Sequence, residues 1–236
     1  MLPMHVSSCS EKKNPHCQTC ESRHQNIVFS PLDQDAFTVL DKAKSVHHYK
    51  KGQYVFHVGS APNGLYCVNS GVILLESETR SGTARIHRMV SGGGVLGYRA
   101  LFAGESYSAS ALVNEDATIC HIPRVAIFDL IRNYPELSFK LLSHVSKELR
   151  QAELRHKNLS DKDAPSRVAE TILQLDKVYP GKKWTRKEVA EWADTTPETV
   201  MRSFATFKKQ GLIDIDGRKV TVKNYDALLD LADPLD

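Results

Sequence analysis

The chain has 236 residues, with 31 Lys/Arg against 28 Asp/Glu and 41% hydrophobic residues. That length supports two small domains with cores of their own, and the composition is that of a soluble globular protein. No apolar run approaches membrane-spanning length, Met1 to Cys20 is polar and Cys/His-rich rather than a signal peptide, and there is no internal repeat or low-complexity tract. Five cysteines, an odd number without a secretory signal, point to a reducing cytoplasm and away from a disulfide framework.

In chain order, a polar N-terminal segment carrying Cys9, Cys17 and Cys20 comes first. From about Tyr49 to Pro123 short strand-like runs alternate with glycine turns. The runs are Tyr54 to Phe56, Gly64 to Val68, Gly71 to Leu75, Ala84 to Val90 and Ser108 to Ile122. Asn63-Gly64, Ser70-Gly71 and Ser81-Gly82 are the predicted turns. The pattern suggests an antiparallel roll or barrel. Cys67 falls inside a strand and reads as small core filler. Next, Leu142, Val145, Leu149, Ala152, His156 and Leu159 recur with heptad spacing on a long helix. The residues alone leave open whether this seam packs on the chain's own roll or on a second copy. A histidine pair at a dimer axis would add pH sensitivity; a solvated or hydrogen-bonded His156 is the alternative.

Thr185 to Val222 reads as a helix-turn-helix followed by a β-hairpin wing. Arg186 to Ala193 forms a first helix behind Thr185 as N-cap, and Thr196-Pro197-Glu198 starts a second with a hydroxyl cap, proline at the first position and an acid in the first turn. Asp194 in the turn tolerates left-handed backbone. Val200, Phe204 and Phe207 make one apolar face; Glu198, Met201, Arg202 and Ala205 lie opposite. Gly211 stops the helix, and two alternating strands flank Asp216-Gly217. Arg202 offers a two-pronged donor to guanine, Glu198 accepts from cytosine, and Met201 offers apolar contact to a thymine methyl. Thr185, Arg186, Thr196 and Thr199, at helix starts, suit phosphate contacts. A surface ion pair between Glu198 and Arg202 is the bland alternative. Ten Lys/Arg against six Asp/Glu between Gly181 and Lys223 concentrate the chain's basic surplus here.

Lys51-Gly52-Gln53, Leu65-Tyr66 with Ser70-Gly71-Val72, and Leu96-Gly97 with Ala100-Leu101 resemble the β-roll of the CRP/FNR superfamily of bacterial transcription regulators; Thr185 to Asn224 resembles its winged domain. The resemblance spans roughly residues 28 to 232. It implies an α+β architecture: an N-terminal segment (1–27), an antiparallel β-roll like the cyclic-nucleotide-binding domain (28–134), a dimerisation helix and hinge (135–163, the hinge at Ser160 to Pro165), and a winged helix-turn-helix domain (164–236). It also implies a parallel homodimer on a near-palindromic operator with TTGA-type half-sites, and RNA polymerase as a partner, with the turn at Arg80 to Thr83 as one candidate contact.

Fold does not settle the signal. Cyclic-nucleotide binders of the superfamily use a Glu for the ribose and an Arg for the phosphate. This chain has Tyr98 and Tyr107 at those places, and Arg99 projects elsewhere, so cyclic AMP is not expected. The FNR branch holds an oxygen-labile [4Fe–4S] cluster. His16-Cys17-Gln18-Thr19-Cys20 matches its paired cysteines and Cys120 its distant ligand, whereas Asn26 and Val28 stand where a third N-terminal cysteine belongs. Three readings stand side by side: Cys9 completes Cys17, Cys20 and Cys120 as cluster ligands; His16 or His24 completes a cluster or a zinc site; or the pair is a thiol switch or has no function. The expected function is a cytoplasmic DNA-binding regulator sensing oxygen, nitric oxide or redox state. One rival is a regulator without a cluster, answering an effector in the roll or its own abundance. Another is an iron–sulfur electron carrier, which would have no use for Glu198 and Arg202. No nucleophile elbow, phosphate loop or metal-hydrolase motif suggests an enzyme, and no membrane partner is expected.

Overall fold

The computed structural model describes residues 16–20, 22, 26, 28–30, 32–78, 84–178 and 183–232. By internal contacts the chain divides into two units: residues through Leu75 with Arg88–Val145, and Glu76–His87 with the chain from Ser146 onward. Cys9, His24, the turn Ser81-Gly82 and the segment Arg80 to Thr83 lie outside the described residues. No helix among the described residues is long and apolar enough to cross a membrane.

In the first unit a short 3-10 turn (Cys17–Thr19) precedes α1 (Gln34–Ala43). Asp33 caps α1 by accepting the Ala36 N–H at 2.8 Å. Six strands follow: β1 (Ser45–Tyr49), β2 (Tyr54–Phe56), β3 (Gly64–Glu78), β4 (Ala84–Val90), β5 (Val95–Leu96) and β6 (Ser110–Pro123). They form one sheet in the order β1-β6-β3-β4, with β2 also on β6 and β5 also on β3. Helices α2 (Tyr98–Ala103) and α3 (Arg124–Asn133) complete the unit with the start of α4 (Glu136–Asp161). Strand alternation sorts neighbouring side chains into two cores. Phe56, Tyr66, Ile73, Val113 and Ile119 fill one; Phe37, Leu40, Leu65, Tyr98, Ile122 and Ile127 fill the other, where the helices pack.

One predicted turn is not a turn. β3 runs unbroken through Ser70-Gly71. Gly71 has φ +89, and a Cβ there would come within 2.6 Å of the Asp116 carbonyl and 2.7 Å of Ala117. The glycine therefore marks a close approach of two strands, which local sequence cannot distinguish from a reversal.

In the second unit α5 (Ala164–Val178), α6 (Arg186–Ala193), α7 (Pro197–Lys209) and α8 (Tyr225–Ala232) pack around Val168, Ile172, Val189, Val200, Phe204 and Phe207. α4 ends at Asp161, and Asp163 caps α5 by accepting the Ser166 N–H at 2.8 Å, so the expected hinge is a two-residue break. β7 (Ile213–Asp216) and β8 (Lys219–Val222) form the wing. Asp216 pairs with Lys219, so the turn residues are Gly217-Arg218, one place beyond the predicted Asp216-Gly217, with Gly217 at φ +56. By internal contacts, Glu76–Glu78 and Ala84–His87 group with this unit.

Candidate functional site

Four cysteines from three parts of the chain line one cavity in the first unit: Cys17, Cys20, Cys67 and Cys120. It holds about 530 Å³ of empty space, the part open to solvent included, and its other walls include Asn26, Phe37, Leu40, Lys44 and Ile122. The short turn bearing Cys17 is pinned to α1. The Cys17 N–H donates to Asp41 Oδ1 at 2.8 Å, and Gln18 Nε2 donates to Thr38 Oγ1 at 3.2 Å. Lys44 Nζ bridges Asp41 Oδ1 at 2.7 Å and Cys17 Sγ at 3.2 Å, which sets a cation beside the sulfur. Cys20 Sγ donates to Asn69 Oδ1 at 3.0 Å. Burial pushes the Cys17 thiol up to about 12 despite Lys44, lifts Cys67 well above the usual thiol range, and raises Cys120. Thiols held this way stay protonated and are poor nucleophiles, unlike the exposed, low-pKa cysteines of redox switches.

The donor set suits a thiolate-bound group of several atoms. No three His, Cys, Asp or Glu side chains among the described residues converge as ligands of a single ion. Iron–sulfur clusters draw on four cysteines spread around a larger body. His16, the proposed substitute ligand, is 78% exposed in its side chain and faces Asp41 at 3.7 Å. Asn26, at the place of the missing cysteine, is buried, and its Oδ1 accepts the N–H groups of Val28 and Phe29 at 3.1 and 3.0 Å. Cys67 is the residue that sequence reasoning passed over: it borders the cavity beside the other three rather than serving as filler alone. The two-residue spacing of Leu65 and Cys67 was the available signal, since it places both on one face.

Tyr98 and Tyr107, which stand where cyclic-nucleotide binders use Glu and Arg, are both buried. Tyr98 is 1% exposed and its hydroxyl accepts from Arg88 Nη1 at 2.7 Å. Tyr107 is buried and stacks on Phe56 with ring centroids 3.8 Å apart. Arg99 is exposed.

In the second unit the predicted reading helix is fully formed. Thr196 caps α7 by accepting the Thr199 N–H, and Pro197 opens it. Val200, Ser203, Phe204 and Phe207 face inward, so Glu198, Met201, Arg202 and Ala205 are exposed together. Arg202 Nη2 donates to Thr199 Oγ1 at 3.2 Å. Its own backbone N–H, then Thr196 and Arg202, hold the Glu198 carboxyl below the usual range, so it is an anion and acceptor at neutral pH. Thr185 makes a full capping box with Glu188 at the start of α6. Arg186 lies over the Phe204 ring at 4.6 Å and donates to the Gly217 carbonyl at 3.1 Å, tying α6 to α7 and the wing. Asp194 adopts φ 52 in the turn, as its sequence position suggests. Arg167 donates to the carbonyls of Ala193 and Asp194, and Arg85 pairs with Asp194 at 2.8 Å. Along α4, Leu142 is 64% and Leu149 59% exposed; Val145, Ala152 and His156 are exposed and Leu159 half-buried, so the heptad seam has an open apolar face.

Comparison with known proteins agrees with both units. Residues 46–134 match the cyclic nucleotide-binding domain family, and residues 166–231 match the Crp-like helix-turn-helix domain family. The fumarate and nitrate reduction regulatory protein of Escherichia coli K12 is 29% identical over 231 residues, covering 92% of this chain and 90% of that protein. A CRP/FNR-family transcriptional regulator from Thermus thermophilus superposes with a TM-score of 0.69 at 25% identity, covering 80% of this chain and 98% of its own. FixK2 from Bradyrhizobium japonicum shares the fold, with a TM-score of 0.71 at 23% identity over 80% of this chain and 96% of that one. With a cyclic nucleotide-binding domain followed by a Crp-like helix-turn-helix domain, this chain is homologous to transcription regulators of the CRP/FNR family.

Proposed function

We propose that this regulator acts in the cytoplasm as a homodimer on a near-palindromic operator with TTGA-type half-sites, under the control of a cysteine-held iron–sulfur cluster that answers oxygen, nitric oxide or redox state. The observation that carries the sensing half is the single cavity shared by Cys17, Cys20 and Cys120, residues about one hundred positions apart in sequence. When bound there, a cluster supplies a group whose integrity depends on oxidants and on the thiolates that hold it. The chain's own part is to present those sulfurs in an apolar recess, with Lys44 beside Cys17 to offset negative charge.

The output half rests on α7. Glu198 and Arg202 are exposed one turn apart, with Met201 between them, ready for base edges. Thr185, Arg186, Thr196 and Thr199 stand at helix starts where backbone N–H groups meet phosphate, although Thr185 and Arg186 also hold the fold together. The open seam on α4 supports pairing of two chains, with Leu142, Val145, Leu149, Ala152, His156 and Leu159 in the interface. RNA polymerase is the further partner expected of a transcription regulator.

The test is to purify the full chain without oxygen and measure its visible absorbance, iron and sulfide, then titrate a palindromic duplex before and after air exposure. A coloured, iron- and sulfide-containing protein whose affinity changes on bleaching supports the reading. A colourless protein with oxygen-independent binding overturns the sensing half and leaves the DNA-binding half standing.

A further inference from the structure

We propose that Cys67 is the fourth cysteine of the cluster site, so that Cys17, Cys20, Cys67 and Cys120 form the complete ligand set without Cys9. The inference rests on the cluster reading above and names the ligand which that reading lacked.

Position in the sheet is the first support. β3 and β6 are hydrogen-bonded neighbours. Gly64 of β3 lies against the Ile122 carbonyl of β6, and Gly71 of β3 against Asp116 and Ala117. Between those two crossings stand Cys67 on one strand and Cys120 on the other, so the ladder brings them to the same level. The pleat then sets their faces. Leu65 and Cys67 pack toward the helices, whereas Tyr66 and Val68 belong to the opposite core. On β6, Ile119 belongs to that opposite core and Ile122 to the helix side, which puts Cys120 on the same side as Cys67. Both sulfur-bearing residues border the cavity that also receives Cys17 and Cys20.

The remaining polar walls are committed elsewhere. Asn26 Oδ1 is taken by two backbone N–H groups, Ser22 Oγ donates to the Asn69 carbonyl at 2.5 Å, and Asn69 Oδ1 accepts from Cys20. Iron–sulfur clusters bind thiolates, and Cys67 is the fourth thiol on the cavity wall. The ligand missing after Cys20 in sequence is thus replaced by one from a strand. Half of the set is fixed by the sheet before any metal arrives, and the other half comes with the turn pinned to α1 by Asp41 and Thr38.

Anaerobic reconstitution of the full chain with ferrous iron and sulfide tests this, with iron and sulfide per chain, visible absorbance and Mössbauer spectra as readouts. The variants are Cys9→Ser, Cys67→Ser and Cys67→Ala, each checked for an unchanged apo-protein unfolding midpoint. Cys9→Ser should keep parental iron and sulfide and show only cysteine-ligated iron, because four cysteines remain of the chain's five. The two Cys67 variants should retain at least tenfold less cluster after desalting. Full loading of a folded Cys67 variant, or loss of the cluster in Cys9→Ser, overturns the proposal while the cluster reading stands; the Cys9→Ser result decides alone if neither Cys67 variant folds. Failure of the parent chain to take up iron and sulfide overturns the cluster reading and this proposal together.

Discussion

Replacing Arg155 with Met should cost the second unit about 3 kcal/mol, because one guanidinium ties three segments together. Arg155 donates from Nη1 to the His87 carbonyl at 2.8 Å, and from Nη2 to the carbonyls of Ile86 and Trp192 at 2.7 and 2.9 Å. Its charge also sits over the Trp192 ring, 4.7 Å from the centroid. Burial draws its pKa down, which records the desolvation cost of holding a cation there. Met keeps an apolar stem of similar length and removes every donor, stranding three acceptors. Hydrogen bonds to a charged group are worth about 1.5–3 kcal/mol each and the ring contact about 0.5–2 kcal/mol. These losses share one side chain and do not add, and removing the cation recovers part of the desolvation cost. For a unit on the order of 100 residues, about 3 kcal/mol corresponds to roughly 12–24 °C in Tm. The chain's two tryptophans, Trp184 and Trp192, both lie in this unit, so their fluorescence during thermal or denaturant unfolding reports it selectively. A shift below about 4 °C, the scale of an ordinary surface substitution, would refute the reasoning.

Arg202→Ala should leave the unfolding midpoint nearly unchanged, since the side chain is exposed and its hydrogen bond goes to the half-buried Thr199 within the same helix turn. Losing about 1–3 kcal/mol at each of two half-sites should weaken operator binding by roughly 30-fold or more, measured by gel shift or anisotropy; parental affinity would sink the base-reading assignment. Gly71→Ala should destabilise the first unit by more than about 2 kcal/mol, because a Cβ meets backbone 2.6 Å away at φ +89. Gly52→Ala, at φ +88 with nothing within 4 Å, is the matched control and should cost only about 1–2 kcal/mol, both read by far-UV circular dichroism. Equal costs would show that the close approach at Gly71 is unimportant. On the proposed pairing through α4, Leu149→Glu should give a monomer in light scattering while each chain stays folded, because the residue is 59% exposed in one chain and burying a leucine contributes about 1.5–3 kcal/mol per copy. An intact dimer would place the interface elsewhere.

The sequence by itself determined the features whose causes are local. Thr185 and Thr196 as caps, Pro197 at the start of α7, Asp194 in left-handed backbone and the split of α7 into buried and exposed faces all arise within a few residues. β4 and α6 match their expected bounds for the same reason. α1, α3, α5 and α8 were not legible, since their apolar positions acquire meaning only against the cores they cover. Ser70-Gly71 carries the letters of a turn, yet the strand opposite, not the dipeptide, dictates its conformation. The grouping of Glu76–Glu78 and Ala84–His87 with the winged unit, and the Arg155 contacts to Ile86 and His87, are long-range as well. The cysteine cavity makes the contrast sharpest. Cys17 and Cys20 announce themselves by spacing, whereas the meeting of Cys67 with Cys120 depends on strand register, which is set by sheet pairing between segments about fifty residues apart.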